Sequence, residues 1–121
     1  MPDTDWRSSM DLLDELQKLI GLLQASIKSL KITSTAHAEA ERDYKILLRQ
    51  VSLKLRDEGM AVGMIDKVVY GQPSVAEARF KRDVAEANYK ANQEAINAYK
   101  LQIRILENAI NREYGMEGRQ L

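Results

Sequence analysis

The chain has 121 residues, 45% apolar and 30% charged, with two prolines and six glycines, a composition that fits one helix-rich domain rather than a disordered chain. Eighteen basic residues balance eighteen acidic ones and cysteine is absent, so there is no global charge to drive nucleic-acid binding, and disulfides, thiolate nucleophiles and Cys-type metal sites are excluded. No apolar run approaches the ~20 residues that span a bilayer, and Met1-Pro2-Asp3-Thr4-Asp5 is acidic where a signal peptide is basic, so a cytoplasmic protein with no membrane partner is expected.

Leu13, Leu16, Ile20, Leu23, Ile27 and Leu30 recur at steps of three and four, and Leu12 and Leu19 widen the stripe. An amphipathic helix over about 5–31 follows, with Asp3 or Thr4 as its cap and early acids favouring its positive end. Trp6, the sole tryptophan, reads as a staple of that helix start to a neighbour. Ile32-Thr33-Ser34-Thr35 is β-branched and hydroxyl-rich, which weakens a helix and predicts a kink or short break. The apolar phase nevertheless runs on through Ser34, His37 and Glu41 to Tyr44, Leu48, Val51 and Leu55, so one continuous but locally weak helix is the alternative. Either version gives a helix over about 36–57, ended by Gly59 as its C-terminal glycine.

The segment 59–73 is an apolar loop. Met60, Val62, Met64, Ile65, Val68, Val69 and Tyr70 are too many large apolar groups for a solvated connector, and a short helix at about 64–70, ended by Gly71, would gather them on one side. They either plug the end of a hairpin or form a partner-binding knob.

Pro73 precedes Ser74-Val75-Ala76-Glu77, which fits a capping box with Ser74 as N-cap. From there Val75, Ala78, Ala85, Tyr89, Ile96, Tyr99, Ile103, Leu106 and Ile110 share one stripe, with Arg82 and Asn92 as polar exceptions. The last helix is therefore expected over about 74–114, before Gly115. Its alanine-rich first half suits close packing against 41–57, and its bulkier second half suits the Leu-rich first helix. The expected fold is all-α: a single helical domain, 1–121, forming an elongated antiparallel helical hairpin, coiled-coil-like, with an additional N-terminal helix. At ~1.5 Å per residue the last helix would reach on the order of 60 Å, too long for a compact chain of this size, so a homo-oligomer is expected.

Catalytic chemistry has little to stand on. His37 is the only histidine and falls on the apolar phase, where a polar core or interface residue is the ordinary explanation. Glu107, Glu113 and Glu117 lack the Glu-x-x-His pairing of a di-iron bundle, and neither a phosphate loop nor a nucleophile elbow is present. No enzyme, no metal and no cofactor are expected. Residues 42–82 hold nine basic and five acidic residues, an excess of four; Arg49, Lys54, Arg56, Arg79, Lys81 and Arg82, with Arg42 and Lys45, are candidate phosphate contacts. The bland reading is a solvated face, supported by i, i+4 pairs at Glu41–Lys45, Glu77–Lys81 and Glu86–Lys90.

Ala40-Glu41-Arg42-Asp43-Tyr44-Lys45, Leu53-Lys54-Leu55-Arg56-Asp57-Glu58-Gly59 and Val75-Ala76-Glu77-Ala78-Arg79-Phe80-Lys81-Arg82-Asp83-Val84-Ala85-Glu86-Ala87 together resemble a family of small, uncharacterised proteins of phages and prophages of Gram-positive bacteria. Glu94-Ala95-Ile96-Asn97, Lys100-Leu101-Gln102-Ile103-Arg104 and Arg112-Glu113-Tyr114-Gly115 extend the likeness, which covers about residues 38–115. The resemblance implies a gene placed near replication and recombination functions, action in the host bacterial cytoplasm, and a unit of helix 41–58, loop and helix 74–115, with a more variable first helix. It carries over no catalytic residue. The resulting expectation is a non-enzymatic phage accessory protein that oligomerises and binds a host or phage protein, one form being an inhibitor of host defence such as an anti-CRISPR or antirestriction protein. The alternatives are a nucleic-acid-associated factor of the phage replication/recombination module and a structural spacer in assembly.

Overall fold

The computed structural model describes residues 9–119, with side chains described over 10–115. The expected helix start near residue 5, the Asp3 or Thr4 cap, Trp6 and the Glu117 side chain lie outside the described residues. Within them the fold is all-α and holds no strand: α1 spans Ser9–Asp57, α2 Val62–Val68 and α3 Pro73–Arg119, with a 3-10 turn at Val69–Gly71 before α3.

The break expected at 32–35 is absent, since α1 runs through it. The hydroxyls that would compete with the helix are satisfied inside it: Thr33 Oγ1 donates to the Leu30 carbonyl at 3.3 Å and Ser34 Oγ to that of Lys31 at 3.2 Å. The capping box also shifts. Gln72 is extended, with φ −64° and ψ 131°, its carbonyl accepts from Ala76 N at 2.9 Å, and Pro73 is the first helical residue. Proline there loses no hydrogen bond, so Ser74 lies inside the helix rather than capping it. At the other end α3 passes through Gly115 to Arg119, since glycine weakens a helix interior without forbidding it.

The covered side of α1 steps by seven through Leu16, Leu23, Leu30, His37, Tyr44 and Val51, and through Leu12, Leu19, Ser26, Thr33, Ala40 and Leu47. On α3 the same step runs through Val75, Arg82, Tyr89, Ile96, Ile103 and Ile110. Leu13, Ile20 and Ile27, which the sequence places on the inner stripe, are 37%, 38% and 49% exposed. The residues that merely widened that stripe, Leu12 and Leu19, are half-buried in their place.

Contacts cluster the chain into two compact units, 30–91 and 1–29 with 92–121. In the unit 30–91, Tyr44, Leu55, Ile65, Val69 and Val75 form a buried core, with Leu48, Val51, Met60, Val68 and Ala78 packed against it. Val75 is fully enclosed, and burying a side chain of this kind contributes about 1.5–3 kcal/mol. In the other unit Ile96, Leu106 and Ile110 are buried, and Leu12, Leu19, Gln102, Ile105, Leu106 and Ala109 line one shallow groove.

Candidate interaction surface at the α1–α3 connection

The connection between the long helices belongs wholly to the unit 30–91. Gly59, at φ +94°, closes α1: Met60 N donates to the Leu55 carbonyl at 3.1 Å and Gly59 N to that of Arg56 at 3.0 Å. This is the paired closure of a Schellman motif, which needs a residue free to adopt a left-handed backbone. The chain then enters α2 at Ala61, whose carbonyl accepts from Met64 N at 2.9 Å and Ile65 N at 3.0 Å.

The short helix does not gather its apolar residues on one side. Ile65 and Val69, one helical turn apart, face the core at 7% and 2% exposure, with Met60 and Val68 half-buried beside them. Val62, Met64 and Tyr70 project outward at 62%, 50% and 48% exposure. The segment therefore contributes both to the buried core of its unit and to its exposed surface. The Arg79 guanidinium carbon stands 6.0 Å from the centre of the Tyr70 ring, at the outer range of a cation–π contact.

The candidate phosphate contacts separate into three situations. Arg49, Lys54 and Arg56 are exposed on α1. Lys81 lines a groove with Asp43 and Glu77, which interleaves it with carboxylates. Arg82 is engaged within the protein: its guanidinium lies 4.5 Å from the centre of the Tyr44 ring and 3.9 Å from Glu41, and donates to Asp83 Oδ1 at 2.9 Å. The hydrogen bond to Asp83 holds Arg82 above the usual arginine range. Of the helical ion pairs, Glu41–Lys45 and Glu86–Lys90 form at 3.4 and 3.3 Å. His37 is half-buried and stacks on Tyr89, ring centres 5.6 Å apart.

Among the described residues, no helix is long and apolar enough to cross a membrane, and no group of three or more His, Cys, Asp or Glu is arranged to hold a metal ion. No family model, curated protein or solved structure matches the chain. The surface that sequence reasoning missed is the outer line of α1, Leu13, Ile20 and Ile27. The signal was present: a strict seven-residue step sorts these three from Leu16, Leu23 and Leu30, whereas a three-or-four step merges the two lines.

Proposed function

We propose that the chain is a non-enzymatic phage accessory protein that associates with itself through its helices and binds a host or phage protein through the outer side of α2. The observation that carries the reading is the exposure of Val62, Met64 and Tyr70 on α2 and the 3-10 turn that follows it, a segment anchored by buried Ile65 and Val69. Apolar groups held outward by a fixed platform lose little freedom on binding, which is what a contact hot spot requires. The seven-residue recurrence on α1 and α3 supports the coiled-coil-like, antiparallel hairpin, and such a seam suits further helices of the same repeat. The phage setting and the bacterial cytoplasm rest on the resemblance over residues 38–115, and inhibition of host defence is the form of the activity that setting favours.

Affinity capture from infected host cells tests the reading. A Met64→Asp, Tyr70→Ala chain, still helical by circular dichroism, is expected to lose the protein that the unaltered chain retains; equal retention would remove α2 as the contact. The nucleic-acid alternative now leans on Arg49, Lys54 and Arg56, since Arg82 and Lys81 have carboxylates beside them. A gel-shift titration over a salt series separates the two, because phosphate binding weakens steeply as salt rises.

A further inference from the structure

Within the unit 1–29 with 92–121, α1 carries an apolar line along the edge of its covered side. Leu13, Ile20 and Ile27 step by seven and are 37%, 38% and 49% exposed. Beside them lies Gly21, exposed in mid-helix, where glycine weakens the helix relative to alanine. A Cβ at Gly21 would meet nothing within 4 Å, so no contact inside the chain calls for glycine there. Glycine at this position leaves room for a second helix to approach closely.

The charges identify that helix. Asp14 and Lys28, both exposed, stand seven residues before and seven after Gly21, on one side of the apolar line. We propose that this face pairs with the same face of a second copy, α1 against α1 in antiparallel sense, crossing at Gly21; the proposal rests on the self-association proposed above and assigns it a surface. A two-fold axis between Ile20 and Gly21 sets Leu13 beside Ile27 of the other copy, Ile20 beside its equivalent and Asp14 beside Lys28 in both directions, each pair offset by about 1.5 Å along the helix. The face is thus its own complement in apolar pattern and in charge, as a two-fold interface requires. Parallel pairing would set Asp14 against Asp14 and Lys28 against Lys28. On α3, Gln93, Lys100 and Glu107 are polar and exposed, and its exposed apolar residues in this unit, Leu101, Ile105 and Tyr114 at 53%, 59% and 45%, do not recur at seven-residue steps, so α1 offers the repeating apolar line.

Sedimentation of the full chain, with three variants, tests the assignment. The unaltered chain is expected to dimerise at micromolar concentration. Gly21→Leu has room in the single chain, keeps its helicity, and is expected to weaken the dimer at least tenfold by blocking the crossing. Asp14→Lys turns two attractions into repulsions and raises the dissociation constant roughly tenfold; adding Lys28→Asp reverses the loss. Because the chain has no cysteine, direction can be read by oxidation: an equimolar mixture of Gln17→Cys and Gln24→Cys chains is expected to cross-link, and Gln17→Cys alone is not, its two copies lying about 10 Å apart along the axis. A Gly21→Leu dimer as tight as the unaltered one, or ready cross-linking of Gln17→Cys alone, overturns this face while leaving self-association standing. A monomer at every concentration overturns both.

Discussion

The Arg82 guanidinium lies over the Tyr44 ring, 4.5 Å from its centre, in a unit whose buried core is otherwise aliphatic. Arg82 occupies a position on α3 whose seven-residue equivalents are Val75 and Tyr89, so its stem covers apolar surface while its head reaches Glu41 and Asp83. The Asp83 and Glu41 contacts are partly solvated, with side chains 54% and 36% exposed, and stabilise little; the ring contact carries more. Arg82→Met, which keeps the stem, is expected to cost about 1–2 kcal/mol in urea unfolding. Arg82→Lys should recover less than half, because an ammonium lacks the planar face that stacks. Full recovery by lysine would mean that charge alone matters at this position.

At Gly59 the backbone is left-handed, φ +94°, and a Cβ would meet no neighbour. Any cost of substitution there is therefore conformational rather than steric. Gly59→Ala is expected to destabilise by about 1 kcal/mol and Gly59→Asn by less, since asparagine tolerates this region. Thermal melts of the three chains check the order; an alanine variant as stable as the glycine one would contradict it.

The two sides of α2 should respond oppositely to charge. Ile65→Asp and Val69→Asp place a carboxylate in the aliphatic core and are expected to cost about 3 kcal/mol or more. Met64→Asp, at a position 50% exposed, should stay within about 0.5 kcal/mol of the unaltered chain. Denaturant midpoints for the three variants distinguish a surface held out by a plug from a segment packed as a whole.

The helical class, the loop and the glycine that ends α1 were legible because each follows from local chemistry: apolar period, turn residues, positive φ. What escaped depended on where individual side chains bond and pack. The hydroxyls of Thr33 and Ser34 argue for a break until their bonds to Leu30 and Lys31 are seen. Arg82 reads from the sequence as a phosphate contact, and its place over the Tyr44 ring was not legible there. Leu13, Ile20 and Ile27 read as core because hydrophobicity alone does not say how wide a stripe the neighbouring helix covers.

Asn92 makes the sharpest test of pairing within the unit 1–29 with 92–121. Its Nδ2 donates to the Ser26 carbonyl at 2.9 Å, joining α3 to the backbone of α1 on a line that is otherwise mainly apolar. A polar residue at such a position fixes the register of two helices at some cost in stability. Asn92→Ala, which removes the bond and leaves a gap, is expected to lose about 1 kcal/mol. Asn92→Leu should match or exceed the stability of the unaltered chain and yet relax its register, because an aliphatic side chain packs nearly as well one turn away. Amide NMR spectra read the difference: a single set of resonances for residues near Ser26 in the unaltered chain, and more than one set in the leucine variant. One sharp set in the leucine variant, with stability raised, would show that Ser26 and Asn92 add a hydrogen bond but do not choose the pairing.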